Sequence, residues 1–280
     1  MASSVTEEDI RPAALFEEYL RLAALDIERH FSNGTRHALN CPACDREGEP
    51  SFTKHGFSYR VCAVCKSLWV SPRPSQEDFQ AFYSSSESSR YWSEVFYPAV
   101  AQARRVGLWQ PKVQRVRSLI GRFTTDELGP YAVVDLGGGN GDFAAEWRDA
   151  VGHAATVVDP NPHSIATCSS LGIPAIEAFV EGLQRSQLPQ QPVAFTCFEL
   201  FEHVQDPVRW LTKISQLMSV GDLLILSTLS GTGLDLQVLW EKSKSINPPH
   251  HINFLNPYSF QLLADRCGLV CEEVHICGSF

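Results

Sequence analysis

The run Val133-Val134-Asp135-Leu136-Gly137-Gly138-Gly139-Asn140-Gly141-Asp142-Phe143 constrains the possible fold of this chain more than any other stretch. Two β-branched residues and an acid lead straight into glycines, and a second apolar run ending in an acid follows, Thr156-Val157-Val158-Asp159. The pattern reads as strand, glycine loop, helix, strand, the first half of a nucleotide-binding βαβ unit. Gly137, Gly139 and Gly141 give a G-x-G-x-G spacing. The dinucleotide fingerprint would need a third glycine where Asp142 stands, and the phosphate-loop pattern needs a Gly-Lys-Ser/Thr that is absent. Glycine lets the backbone turn with positive φ and lets a ligand approach closely. Asp159, at the tip of the next strand, is placed to accept hydrogen bonds from ribose hydroxyls. Together these features point to a nucleoside-like ligand.

The rest of this region alternates in the same sense. Strands are expected at Tyr131–Leu136, Ala154–Asp159, Ala175–Phe179, Val193–Phe198, Asp222–Ser227 and Leu269–Ile276. Helices are expected at Gly141–Ala150, Pro162–Leu171, Pro207–Met218 and Ser259–Cys267. Such alternation builds a parallel sheet covered by helices on both faces, an α/β fold. Upstream, residues 12–31 place Leu15, Phe16, Tyr19, Leu20, Ala23, Ala24, Ile27 and Phe31 at helical spacing. That stripe reads as packing against the body of the protein. Ser75 caps a short helix through Tyr83, Ser84–Ser89 reads as a serine-rich loop, and a longer helical region spans Ser93–Phe123 with a break near Pro111.

Cys41-Pro42-Ala43-Cys44 and Cys62-Ala63-Val64-Cys65 are both C-x-x-C, seventeen residues apart. That falls within a four-cysteine zinc pattern. Four thiolates favour tetrahedral Zn²⁺ in a closed structural site. An iron–sulfur cluster, a redox pair and a metal-free remnant are the alternatives. Between the pairs, residues 51–61 read as two short strands around Gly56, a zinc ribbon too small to hold itself by burial alone. Ser71-Pro72-Arg73-Pro74 then reads as an extended linker. Four segments result: 1–39 helical, 40–74 zinc ribbon, 75–129 helical bridge, and 130–280 cofactor-binding domain.

A formal charge of −9 argues against broad nucleic-acid binding. The ribbon's Phe52, Lys54, Phe57, Tyr59 and Arg60 keep RNA docking as an alternative. A local basic stretch holds Arg104, Arg105, Lys112, Arg115, Arg117 and Arg122 with no acid among them, either a solvated helix face or a docking face for a phosphate-bearing substrate. Apolar content of 44% is that of an ordinary globular chain, and no run approaches a membrane span. Residues 1–10 lack a basic-then-apolar leader. With Cys168, Cys197, Cys267, Cys271 and Cys277 scattered singly, the expected setting is a reducing cytoplasm.

From Asp135–Gly141 and Asp159 onward, roughly residues 130–280, the chain resembles the class I S-adenosylmethionine-dependent methyltransferases. The resemblance implies a Rossmann-like sheet. It also implies a cofactor site formed by Asp135, Gly137, Gly138, Gly139, Gly141, Asp159, Pro160, Phe179, Phe198 and Glu199. The glycines would pass under the methionine part of S-adenosylmethionine, and Asp159 would hold its ribose. The family normally adds a seventh, antiparallel strand, and with Phe280 as the last residue that strand is missing, supplied otherwise or lost by truncation.

Two segments could carry chemistry. Glu199-Leu200-Phe201-Glu202-His203-Val204-Gln205-Asp206-Pro207 follows the fourth strand and resembles a family segment that faces the cofactor cleft. Pro248-Pro249-His250-His251-Ile252-Asn253 resembles a region of zinc-ribbon sugar C-methyltransferases, in which His251 takes the place of the general-base histidine. His250 replaces that family's glutamate and Pro248 its tyrosine, so carbon, oxygen and nitrogen acceptors all stay open. A histidine near its reference pKa of about 6.5 suits proton abstraction. His251 is the expected base and His203 its support. The long Gly231–Asn247 loop reads as part of the acceptor pocket with Trp240 as a wall. The partner implied is a small-molecule methyl acceptor, possible alternatives being RNA and a non-catalytic binding role; the sequence leaves the oligomeric state undetermined.

Overall fold

The structure is a computed structural model that describes residues 5–32, 34–123, 130–153 and 155–276. The N-terminal part holds α1 (Glu7–Ile10), α2 (Ala13–Phe31), β1 (Arg36–His37), β2 (Glu49–Lys54), β3 (Phe57–Val61), β4 (Leu68–Val70) and β5 (Arg73–Pro74). A helical stretch follows as α3 (Gln76–Ser85), α4 (Glu87–Tyr91), α5 (Tyr97–Arg104) and α6 (Gln110–Phe123). Next come β6 (Ala132–Leu136), α7 (Asp142–Val151), β7 (Ala155–Asp159), α8 (Pro162–Ser170), β8 (Ala175–Glu177), β9 (Val193–Phe198), α9 (Pro207–Leu217) and β10 (Leu223–Ser227). The last elements are α10 (Leu234–Leu239), β11 (Asn253–Phe254) and α11 (Pro257–Arg266).

β10-β9-β6-β7-β8 form one parallel sheet in that order. Its central strands are apolar on both faces, and β6 is buried along its whole length, as a sheet covered on both sides requires. On one face Val113 and Val116 of α6 pack with Phe143 and Trp147 of α7 against Val133 and Val157. On the other, Leu211 and Ile214 of α9 and Leu263 of α11 pack against Val134, Leu136 and Phe195. Parallel strands align their C-terminal ends, so the segments after β6, β7, β8, β9 and β10 all open onto one edge.

Several expectations need correction. Residue 154, the expected start of the second strand, lies outside the described residues, as does Cys277. The sixth strand is not formed: 269–276 is irregular, and its Val270 and Ile276 are 80% and 86% exposed. Alternating apolar residues make a strand only where a neighbouring strand pairs with them, and among the described residues none does. The serine-rich stretch is not a loop. Ser86 accepts a hydrogen bond from Ser89 N and starts α4, while the buried Asp26 carboxylate of α2 accepts from the amides of Glu87 and Ser88. Serine ends one helix and caps the next for the same reason, its competition for backbone partners. Nor does Pro111 break the helix. A wider π-helical turn at Arg105–Trp109 precedes it, and another at Trp92–Phe96 precedes Pro98. The wider turn relieves the clash that a proline ring makes with the preceding turn.

The largest departure concerns residues 71–74. They are no open linker: Arg73 is 2% exposed, and β5 pairs with β1. The ribbon hairpin β2–β3 continues into β4, and β4 pairs antiparallel with β11 from the far end of the chain. Ribbon and C-terminal segment therefore share one sheet. The Arg73 guanidinium joins them. It donates to Val70 O at 2.8 Å, Val204 O at 3.3 Å, Gln205 O at 2.5 Å and Ile252 O at 3.1 Å, and also to Asn253 Oδ1. Burial lowers its pKa to about 9. Arg73→Ala would strand several buried carbonyls, each costly to leave unpaired. The expected loss is about 3 kcal/mol in urea unfolding, and Arg73→Lys, which lacks the planar fork, should recover only part of it.

Candidate functional site

The glycine loop leaves β6 at the open edge of the sheet. Gly137 has φ +69°, and a Cβ there would stand 2.7 Å from the Leu200 side chain. Gly139, with φ +52°, faces open space. Gly139 N donates to Asp159 Oδ2 at 3.0 Å, and Asn161 N donates to Asp159 Oδ1 at 2.9 Å. Asp159 thus holds the loop from the tip of β7 with one lone pair on each oxygen still free. Asp135 sits elsewhere than expected. It is 2% exposed, its Oδ1 accepts from the Thr196 hydroxyl at 2.7 Å, and its carboxylate lies directly under Gly138. Burial raises its pKa to about 7. Asp135 therefore supports the loop from below and is not open to the cleft.

Pro160 and Phe179 follow β7 and β8, Phe198 ends β9, and Glu199 follows it at the same edge. Phe179 is exposed and Phe198 packs on Phe143 with ring centroids 4.9 Å apart. Glu199 has φ +55° and receives Lys112 at 2.8 Å and the buried Arg104 at 3.8 Å. Arg105 pairs with Glu146 and Asp149, and Arg122 with Glu273. Four of the six cations in the basic stretch are thus matched by acids of the body.

The two chemistry-bearing segments meet. Ile252 N donates to Glu202 O at 2.8 Å, and the rings of His203 and His251 lie 4.9 Å apart. His251 Nδ1 is 2.7 Å from Ser245 O. A carbonyl only accepts, so Nδ1 carries the proton and Nε2 keeps the lone pair. His203 Nδ1 is 3.3 Å from the Tyr83 hydroxyl. Glu202, 2% exposed, accepts from the Thr228 hydroxyl at 2.8 Å. His250 is not in the open cleft. Its ring packs among Tyr19, Phe82 and Tyr83, and its Nε2 is buried with no hydrogen-bond partner among the described residues. Burial pushes the His251 pKa down to about 4, the His250 pKa to about 3, and that of His203 well below its ordinary value. All three imidazoles are therefore neutral at neutral pH, with pKa values below the reference of about 6.5. Burial also raises the Glu202 pKa to about 7.

The ribbon holds this arrangement from behind. Tyr59 Oη donates to His251 O at 2.7 Å, and Val70 N donates to Ile252 O at 3.0 Å. Its cysteines converge, with Cys41 and Cys65 Sγ 3.3 Å apart, Cys44 and Cys62 3.5 Å, and Cys44 and Cys65 3.6 Å. A tetrahedral ion with metal–sulfur bonds of about 2.3 Å sets its sulfurs roughly 3.8 Å apart, so the cluster can hold a metal after shifts of a few tenths of an ångström. Asp45 and Lys66, just past each pair, take φ of +62° and +60° and close the two knuckle turns. The residues kept for RNA docking are engaged elsewhere. Phe57 and Tyr59 are buried, Lys54 donates to Glu241 O and Ser243 O, and Arg60 donates to Gly48 O. The Trp240 ring meets Phe52 of β2 at 5.6 Å.

Sequence reasoning missed the roles of Tyr83, Thr228 and Arg73, and saw Lys112 only as one of a basic stretch. Tyr83 was read only as a helix end, and Thr228, one residue past β10, carries no pattern of its own.

Fold and site together define the class. Residues 101–274 match a family described as a methyltransferase domain, and the chain belongs to that family. It is 26% identical over 162 residues to the ubiquinone biosynthesis O-methyltransferase of Xanthomonas euvesicatoria pv. vesicatoria, an alignment covering 53% of this chain and 66% of that protein. The chain thus spans just under two thirds of the length of this curated relative. Among solved structures it is similar to an S-adenosylmethionine-dependent methyltransferase of Thermotoga maritima described as a possible histamine N-methyltransferase, at 17% identity and TM-score 0.45, covering 63% of this chain and 80% of that one. It is also similar to a plantazolicin methyltransferase in complex with S-adenosylhomocysteine, at 14% identity and TM-score 0.46, covering 68% of each chain.

The histidine environment has a measurable consequence. A histidine neutral in the fold but protonatable when unfolded withdraws stability as pH falls from about 6.5 toward its folded value. The His251 ring resonances should stay at the neutral position from pH 8 down to about 5, and unfolding free energy should decline below about pH 6.5. A ring that titrates near 6.5 in the folded protein would contradict this environment.

Proposed function

We propose that this chain transfers a methyl group from S-adenosylmethionine to a small-molecule acceptor. The observation that carries the reading is the pairing of two features at one sheet edge. One is a glycine cradle held by Asp159, and the other is the His251 Nε2 lone pair beside Glu202 and His203. The fit to the cofactor is physical. A side chain at Gly137 would collide with Leu200, whereas Gly139 leaves open space above a backbone stretched between β6 and β7. Asp159 retains acceptor capacity for ribose hydroxyls. Pro160 and the exposed Phe179 supply apolar surface for a base, and Glu199 with Lys112 and Arg104 supplies charges for an amino-acid moiety.

The bound cofactor would supply a methyl group on sulfonium, already a strong electrophile. The chain's own task is alignment, which can be worth roughly 7–11 kcal/mol. His251 would accept the acceptor's proton at Nε2, with Ser245 O fixing its tautomer and His203 packed against its ring. Similarity to a protein named as an O-methyltransferase favours an oxygen acceptor. A sugar, or a nucleotide-linked or phosphorylated metabolite, is the class we favour. Zn²⁺ at Cys41, Cys44, Cys62 and Cys65 would be structural, because four thiolates leave no open position.

Calorimetric titration with S-adenosylhomocysteine tests the cofactor reading. Binding should be saturable, and Asp159→Ala should weaken it roughly ten- to a hundredfold through lost charge-assisted hydrogen bonds. Gly137→Ala should weaken it as well. Absence of binding by folded protein, or equal binding by Asp159→Ala, would remove the reading.

A further inference from the structure

We propose that Glu202, His203 and His251 form a second metal site, for a divalent first-row transition ion. The inference deepens the methyl-transfer reading, on which its catalytic consequence rests, although the binding itself does not. One carboxylate oxygen and one nitrogen from each imidazole all lie within 4.8 Å of one another. Ligands that share an ion at about 2.0–2.2 Å sit roughly 3–3.5 Å apart, so binding an ion would draw the set together. Two imidazoles and a carboxylate suit ions such as Co²⁺, Fe²⁺ or Zn²⁺, and three ligands leave coordination positions open.

Each of the three side chains already has a polar partner. Ser245 O accepts from His251 Nδ1 at 2.7 Å, Tyr83 Oη lies 3.3 Å from His203 Nδ1, and Thr228 Oγ1 donates to Glu202 Oε2 at 2.8 Å. Metal ligands are characteristically fixed by such outer hydrogen bonds. Glu202 is 2% exposed, and among the described residues no Lys or Arg forms an ion pair with it, the Lys112 charge acting on it only from a distance. A buried carboxylate is ordinarily paired or bound to a cation. The site lies just past β9, on the edge where the glycine loop opens. Its open positions would therefore take an oxygen of the acceptor. A cation there occupies the His251 Nε2 lone pair, so metal loading exchanges proton abstraction by imidazole for coordination of that oxygen.

The test titrates Co²⁺ into full-length protein whose four-cysteine site is first loaded with Zn²⁺. One further equivalent should bind, with visible d–d absorption and no sulfur-to-cobalt charge transfer. His251→Ala and Glu202→Gln should each abolish that equivalent while keeping the zinc and the circular dichroism of the parent. Thr228→Val, which removes only the outer hydrogen bond, should weaken it roughly tenfold or more. No second equivalent in the parent protein would overturn the site, as would one that survives in both ligand variants. Titration with S-adenosylhomocysteine separates the two readings. Its binding without cobalt binding removes only the metal site, and cobalt binding without it removes methyl transfer but leaves the site.

Discussion

One buried guanidinium organises this molecule. Arg73 lies where the ribbon, the segment after β9 and the His250–His251 segment come together, and it donates to backbone carbonyls of all three. Removing a charged side chain from water is costly unless its donors are all met. Here they are met by neutral oxygens whose positions depend on correct assembly of three distant stretches of chain. Asn253 completes the arrangement. Its Oδ1 accepts from Arg73, and its Nδ2 donates to Phe201 O and Val204 O. The energetic consequence is mutual dependence, because no one of the three segments can shift without stranding polar groups on the other two.

This dependence gives the ribbon its role. A four-cysteine knuckle could have been an independent docking module. Instead Asn256 Nδ2 donates to Cys65 O at 2.7 Å and Arg266 donates to Pro42 O at 2.8 Å, so both knuckles are bonded to the C-terminal elements. β4 pairs with β11, two residues past His251. The ribbon is a wall of the histidine cluster. Desolvation by that wall and by α2 and α3 makes the imidazoles neutral acceptors. Neutral nitrogen is the form that can take a proton or bind a metal.

The parallel sheet was legible in the sequence because its strands are short, β-branched and punctuated by glycine and proline. Val193–Phe198 forms just as its composition implies. The glycine loop, Asp159 and the cysteine knuckles were legible because each depends on local backbone chemistry at fixed spacing. What escaped is whatever depends on long-range pairing. The alternation in 269–276 could not reveal that no strand would meet it. Pro72 and Pro74 suggested a linker, because Arg73 shows its purpose only when residues 204 and 252 arrive beside it. Burial likewise decided the histidine and Asp135 protonation states, and burial depends on neighbours from far along the chain, such as Tyr83 and Tyr19.

Amide hydrogen exchange, compared between zinc-loaded and zinc-depleted protein, tests most directly whether the ribbon is part of the active site. The amide of Ile252 is the reporter, since it donates to Glu202 O while the carbonyl of the same residue accepts from Val70 N of the ribbon. The account expects metal removal to speed exchange at Ile252, and at Asn253 beside it, together with the ribbon amides, while the β6 amides stay protected. Loosening confined to residues 41–70, with Ile252 protected as before, would show that the histidine segment stands without the ribbon and would contradict the account.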